Sequence, residues 1–439
     1  MAQGQVNKQW VSAITYMDQR DIIPQIIDVT NESASLLDFL EFTESSFHTK
    51  ESQYHQTTNT ELFSLGVVAS SSGAPGTTVT VVLTSGTLYA AIPGSIVYLL
   101  SGARASVQNN VAGTLTLVSI DGTNILAADV ANGNSLSFPS VAFGEGSYGA
   151  TPEKFPKNNY TNVAQIFKHA YEVSDIQLAS KIEATVDDKD FFYQEVAKVE
   201  AYVKFRKLIS LGLIMNTYSG DNFSAASYGL VDLNGKPVNS TRGLDQSITT
   251  MGITYPLITA NTFSIPDLQA MDTTFNNIRA PKEYTCYASG PMNQYFDILI
   301  NGINNSSQLS QAGRFMFKGE TLDLAITNIN IFNRVFHKLK LSELDDPYTI
   351  GNATGLGNIG TSMYLVPMGM CRVEGGGSLP YLSTRYMSTP RIDMRYFVQA
   401  TGGMADPITS NQNVENVNFN SIQGLQTLGT NFFAKVLAA

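Results

Sequence analysis

The chain has 439 residues, enough for two or three hydrophobic cores, and only 15 % of them are charged. A net charge of −10, with no basic clusters longer than Lys204–Lys207 and His337–Lys340, excludes tight sequence-independent contact with nucleic acid, which needs concentrated Lys and Arg. No basic-then-apolar leader opens the chain and no run of about 18 apolar residues follows; neither a signal peptide nor a membrane span is expected, and the protein reads as made and kept in cytosol.

Residues 1–60 read as an arm rather than a domain. A helical patch around Trp10–Ile14 precedes Pro24, which sets an extended or turn conformation. Ser33–Phe42 predicts an amphipathic turn and a half. Thr43–Thr60 is polar and aperiodic; such a stretch cannot bury enough surface to fold alone and must lie against something else.

From Leu62 to about Tyr160 the pattern is that of β-structure. Thr77–Leu83, Ser95–Leu100 and Gly113–Ile120 are short β-branched strands, separated by turn signals at Ser72–Gly76, Pro93-Gly94, Asp121-Gly122 and Asn132-Gly133. They predict a small β-sandwich or barrel inserted between two flanking legs, with glycine- and serine-rich hinges near Ser70 and Pro152.

Thr185–Asn216 carries the longest helical signal, a rod of roughly 45 Å. Phe192, Val196, Val199, Val203, Leu208 and Leu211 recur in steps of three or four and predict one buried stripe. Asp187, Asp188 and Asp190 crowd its start; Lys198, Lys204, Arg206 and Lys207 lie later, where cations suit exposed carbonyls. Tyr193, Tyr202 and Phe205 lie beside the stripe, so a second packed face is expected.

Tyr218–Ile253 reads as loop-rich. A helix then opens at Ser264 with Pro266 in its first turn and Leu268, Met271, Phe275 and Ile278 on one face, ending near Ala280-Pro281. Tyr284–Ser289 predicts a buried strand, Pro291–Ile300 a helix, and Thr327–Phe332, Asn333–Leu339 and Ser362–Met368 further strands. That mixture implies one α+β domain. Arg391–Phe397 and Gln423–Val436 return the chain to strands. There is no repeat at a fixed solenoid period.

Catalytic and ligand-binding patterns are missing. Gly355–Gly360, GLGNIG, matches a dinucleotide-binding pattern letter for letter, but it leads into a strand where phosphate binding needs a helix N-terminus. Ser147 lacks the glycine context of a nucleophile elbow. His48, His55, His169 and His337 are scattered, with no two spaced to share one helical face. Asp187-Asp188 and Asp345-Asp346 are adjacent pairs that do not face one another. Met363, Met368 and Met370 read as core filler. Cys286 and Cys371 could form one disulfide, but reduced, semi-buried thiols are the simpler reading. No catalytic, cofactor-binding or metal site is expected, and no enzyme.

The order of parts (polar arm, two-legged excursion with a β insertion, long helix, α+β domain, return to strands) resembles the major capsid protein of tailed bacteriophages, the Hong Kong 97-type fold. FNRVFHKLKLSELDDP (Phe332–Pro347) is similar to the strand-then-Asp-Pro segment of such coats, and TSMYLVPMG (Thr361–Gly369) to the strand that follows. VNFNSIQGLQTLGTNFFAKV, from Val417, is similar to the ends of related coats. The resemblance implies an N-terminal arm at 1–60, an extended loop at 61–180 carrying the β-rich insertion at about 70–150, and a peripheral domain at 181–250 whose spine helix is 185–216. An axial domain follows at 251–377, and 378–439 return to the peripheral domain. It implies hexamers and pentamers of the chain itself, forming an icosahedral or prolate head around packaged double-stranded DNA without sequence-specific contacts. It further implies portal, scaffolding and head decoration proteins as partners, no membrane, and assembly in the host bacterial cytoplasm into the virion. About sixty residues of arm leave little room for a built-in scaffolding segment. Lys154 and Lys157 read as solvated lysines rather than crosslink partners. On this reading Tyr193, Tyr202 and Phe205 are shared between the subunit's core and a neighbouring subunit.

The alternatives are a phage tail, fibre or other virion structural protein, and an encapsulin-like shell. Fibres show repeats or trimeric heptads that are missing here, and encapsulins tend to be shorter, without a large insertion.

Overall fold

The computed structural model describes residues 35–59, 65–84, 91–146, 157–174, 185–186, 189–190, 193–223, 229–258, 262–305, 328–345, 359–372, 377–390, 392–402, 411 and 413–437. The expected helical patch at Trp10–Ile14, Pro24, Ser147, Lys154, Asp187, Asp188, Phe192 and Asp346 lie outside them, as do the side chains of Lys157, Tyr193 and Val196. The architecture is mixed α+β, in two units: 1–55 with 161–439, and 56–160.

The first unit holds two hydrophobic cores and two main sheets; the first core also takes Tyr287, Tyr364 and Val366 from the second sheet. In the first, Val414–Thr427 is the central strand. Gln165–Ser174 runs antiparallel along its whole length on one side. Leu382–Met387 and then Phe397–Gly402 take the other side. Ser46–Thr49 adds a parallel strand at the edge of Leu382–Met387. Most of the polar stretch Thr43–Thr60 thus becomes sheet because distant strands supply its hydrogen-bond partners: Ser46–Thr49 pairs with Leu382–Met387, and Gln53–Asn59 with Lys157–Val163.

Three helices cover this sheet. Helix α1, Leu36–Phe42, is started by Ser35 and Asp38, each holding the other's backbone amide. Its Leu36, Leu37 and Leu40 are fully buried. Helix α2 is Tyr193–Met215, about 34 Å long. It is shorter than the predicted 185–216, because Thr185–Val186 folds back on Lys189–Asp190 as a small strand pair. Asp190 therefore stands in a strand and not in a helical first turn.

The predicted stripe of α2 is also corrected. Ala201, Phe205, Ile209, Leu213 and Ile214 are the core residues, whereas Val199 is 61 % exposed and Leu208 42 %. The helix is apolar on several sides, so spacing alone did not single out the face that meets the sheet. Phe205 and Tyr202 both pack on the Phe419 ring, at 6.0 and 5.6 Å between centroids. Phe205 is thus core of its own subunit and not available to a neighbour. Helix α3, Leu244–Met251, lies in the segment expected to be loop; it buries Leu244 and Ile248, one turn apart.

The second core sits on a six-stranded sheet in the order Ile253–Pro256, Ala434–Leu437, Ser362–Pro367, Glu283–Ala288, Arg334–Lys340, Asn328–Ile331. Ser362–Pro367 is buried along its whole length, as is Glu283–Ala288 after its first residue. Helix α4, Ile265–Asn277, is capped by Asp267, which accepts the Ser264 amide at 2.9 Å and the Ile258 amide at 2.9 Å. Its Leu268, Met271 and Phe275 enter the core beside Met292 and Phe296 of helix α5, Gly290–Asn305.

Two expectations about the C-terminal part are corrected. Residues 392–396 form no strand: Asp393 makes an isolated bridge to Ser388 and 394–396 are bends, with Thr389 donating to the Ile392 carbonyl at 3.0 Å and the Arg395 amide to Asp393 at 2.9 Å. The expected strand 423–436 is two strands, Val414–Thr427 and Ala434–Leu437, split by a short 3-10 turn at Thr430–Phe432. The second leaves the first sheet and enters the other, parallel to Ile253–Pro256 and antiparallel to Ser362–Pro367. The last strand therefore binds the two cores together.

The second unit contains a closed barrel, in the order Gly66–Ser72, Thr78–Leu83, Thr114–Ser119, Arg104–Val111, Ser95–Tyr98, Ser135–Val141. Alternate residues fill it: Val79, Val81 and Leu83 from one strand, Leu115 and Leu117 from its neighbour. Ser70 lies inside the first barrel strand, and the glycine- and serine-rich run after it is a hairpin turn with Gly73 at φ +85°, so the hinge expected near Ser70 is part of the barrel instead.

Candidate assembly surface and the ties behind it

Gln165–Ser174 and α2 lie together in the first core and leave between them a groove of about 400 Å³, lined by Ile166, Phe167, Leu208, Leu211 and Gly212. Gly212 is required there: a Cβ would stand 2.7 Å from the Phe167 ring. Gln165 fixes one end, accepting from the Asn216 amide at 2.7 Å and the Thr241 backbone at 3.1 Å. Ile166 and Leu208, which line it, keep apolar surface in water. Shape and apolar character fit contact with other protein.

Behind that surface the elements are tied by polar groups far apart in sequence. Glu41 on α1 accepts from Arg206 at 2.7 Å, from the Tyr396 hydroxyl at 2.7 Å and from Arg395 at 3.0 Å. Burial works to raise the carboxyl's pKa, but these three donors outweigh it and hold Glu41 below the usual carboxylate range. Asp38 is likewise held low: burial opposes, and Ser35 and Arg206 prevail. The Arg206 guanidinium also lies over the Tyr396 ring, at 5.6 Å.

A second tie is made where Gly424 passes through the first sheet. The Tyr54 hydroxyl and the Asn162 side-chain amide both donate to the Leu425 carbonyl at 2.7 Å. A Cβ on Gly424 would lie 2.6 Å from the Val163 carbonyl. This is the physical reason for glycine in the QGL of the C-terminal segment. The sequence offered no signal for it, because the closing groups lie more than 180 positions before Leu425.

The residues examined as candidate chemistry are not brought together. His48, His55, His169 and His337 stand on four different strands. His169 is pushed below its ordinary pKa by burial and by Lys204. Ile359–Thr361 is a 3-10 turn running straight into the strand Ser362–Pro367, so no helix N-terminus follows the GLGNIG stretch, whose first four residues lie outside the described ones. Met363 is core, but Met368 and Met370 are exposed at a turn; the core assignment of those two is corrected. Cys286 is buried and its thiol pushed up by burial; Cys371 is half-buried, and neither is bonded to another sulfur. Among the described residues no three His, Cys, Asp or Glu side chains are grouped to hold a metal ion, and no helix is long and apolar enough to cross a membrane.

The family model described as SU10 major capsid protein matches residues 4–337, more than half of the chain. No curated protein matches. Among solved structures, the chain is similar to one from Microbacterium phage Oxtober96, at 10 % identity over 99 % of each chain with a TM-score of 0.43. It is also similar to the capsid of a native GTA particle, at 8 % identity over 99 % of this chain and 100 % of that one, with a TM-score of 0.43. The capsid of Myoviridae phage XM1 matches at 8 % identity over 100 % of both chains, with a TM-score of 0.42. The chain belongs to the SU10 major capsid protein family, and it is a structural subunit of a bacteriophage virion rather than an enzyme.

Proposed function

We propose that this subunit assembles with copies of itself, as hexamers and pentamers, into the head of a tailed bacteriophage that encloses packaged double-stranded DNA. The family match over residues 4–337 carries the reading. Residues 1–60 act as the N-terminal arm, and 61–180 as the extended loop that carries the barrel. Residues 181–250 and 378–439 form the peripheral domain with α2 as its spine. The axial domain is 251–377, completed by the final strand. Portal, scaffolding and decoration proteins are the partners outside the shell lattice, and assembly takes place in the host cytoplasm. The acidic balance of −10 supports a shell whose inner face meets DNA without holding it in sequence-specific contacts.

Expression of the chain alone and with the products of neighbouring genes, imaged by negative stain, tests this. Shells or six- and five-membered rings are expected. A stable monomer or a trimeric rod under every condition would sink the reading.

The barrel yields a separate prediction. Its core is made of its own residues, and the strands Gln53–Asn59 and Lys157–Val163, which lead to and from it, pair with each other. Replacing Gly66–Val141 by a short Gly/Ser linker is therefore expected to leave the denaturation midpoint of the first unit unchanged. Shells of the variant should lack surface density but keep their lattice. Loss of the main unfolding transition would show that the remaining fold depends on the barrel.

A further inference from the structure

Glu343 is an acid in an unusual position. It lies in the 3-10 turn Ser342–Leu344 between two fully buried residues, Leu341 and Leu344, and is itself only 4 % exposed. One carboxylate oxygen, Oε2, accepts the Leu36 amide of α1 at 3.4 Å, and Ser210 of α2 lies beside the carboxylate. Ser210 accepts the Leu37 amide in turn, at 3.3 Å. The two amides that open α1, which have no acceptor within the helix, are thus both served by this pair. The other oxygen, Oε1, is buried and has no hydrogen-bond partner among the described residues.

The charged groups facing Glu343 do not neutralise it. Asp38 of α1 is a like charge. Lys207 of α2 is the nearby cation, but it makes no ion pair with Glu343. Arg206 is taken by Asp38 and Glu41. In Glu343's own segment, Lys340 is taken by Asp345 at 3.0 Å. A buried, unpaired anionic oxygen is costly, and protonation removes most of that cost.

We propose that Glu343 is a pH-responsive latch on the N-terminal helix, protonated when α1 is firmly docked and loosening α1 when it ionises. Detachment of α1 lets water reach Oε1, so the ionised form favours the loosened state. Burial raises the Glu343 pKa above the ordinary 4.5. Its contribution to docking is accordingly complete below 4.5 and lost as pH rises through the raised value. Asp38 and Glu41 act in the opposite sense. Their pKa values are depressed, so their contribution is present above the ordinary 3.8 and 4.5 and is lost only as pH falls below. Docking of α1 is strongest between the depressed values of Asp38 and Glu41 and the raised value of Glu343, and weakens as pH rises through the latter.

Amide hydrogen exchange on the full chain tests this, in one oligomeric state verified by light scattering at each pH. Protection factors at 36–42 are expected to fall between pH 5 and pH 8 by roughly tenfold for each unit by which the Glu343 pKa exceeds its ordinary value. The strand Glu283–Ala288 should keep its protection throughout. Glu343→Gln should abolish the pH dependence at 36–42. Lys207→Met, which removes the cation that favours the ionised form, should move the fall to higher pH. A flat wild-type profile overturns the latch, as does a fall that persists unchanged in Glu343→Gln. Should the glutamine variant not fold, an unmoved profile in Lys207→Met overturns it equally.

Discussion

Lys435→Ala is expected to lower the unfolding free energy of the subunit by about 3 kcal/mol, measured by equilibrium denaturation in urea. Lys435 stands in the last strand, AKVL, and is only 5 % exposed. Its ammonium bonds Asp245 in the first turn of α3 and lies over the Tyr364 ring at 5.7 Å. The Tyr364 hydroxyl donates to the same Asp245 oxygen at 2.9 Å. Three elements of both cores therefore meet on one ion pair. Truncation of the lysine leaves Asp245 with a single neutral donor, and the penalty of a half-buried, uncompensated carboxylate dominates the loss. Asp245 keeps some contact with water, which puts the value at the lower end of the range for broken buried pairs. The double variant Lys435→Met, Asp245→Asn should recover most of it, because no charge is then left alone. A loss under about 1 kcal/mol in the single variant would mean that the pair behaves as a solvated surface bridge.

The parts of this fold that were legible in the sequence are those decided by neighbours in the chain. Ser264 and Pro266 mark the start of α4, and the β-branched pattern in Thr78–Leu83 and Thr114–Ser119 marks barrel strands. The parts that were not legible are decided by distant groups. Gln53–Asn59 has no apolar period and becomes a strand only because Lys157–Val163 pairs with it. The face of α2 that packs depends on α1 and the sheet, since Val199, the more apolar of the two, is exposed while Ala201 is buried. The last strand reads as a continuation of the preceding one until Gly429, at φ +60°, and the 3-10 turn redirect it. Nor could the groove beside Phe167 be found from spacing: it exists because Gly212 leaves room for that ring.

Arg334→Ala is expected to cost about 3–5 kcal/mol, a loss as large as any single substitution in the second core should give. Arg334 follows the turn at Phe332 and Asn333, both at positive φ, which brings Asn328–Ile331 back onto Arg334–Lys340. Its side chain runs inward and is 4 % exposed. Nε donates to Asp272 at 2.7 Å, Nη2 to the Asn276 side chain at 2.6 Å, and Nη1 to the Pro281 carbonyl at 2.6 Å. The guanidinium also covers the Phe275 ring at 5.3 Å. One planar group thus closes the end of α4 and ties that end to the hairpin. Arg334→Lys should recover only part of the loss, because an ammonium cannot donate in three fixed directions. The contrast between the two variants separates geometry from charge. If lysine restored full stability, the positive charge beside Asp272 would suffice and the clamp would be irrelevant. If alanine alone changed the midpoint by less than the measurement error, the side chain would have to be exchanging with solvent rather than buried against Phe275.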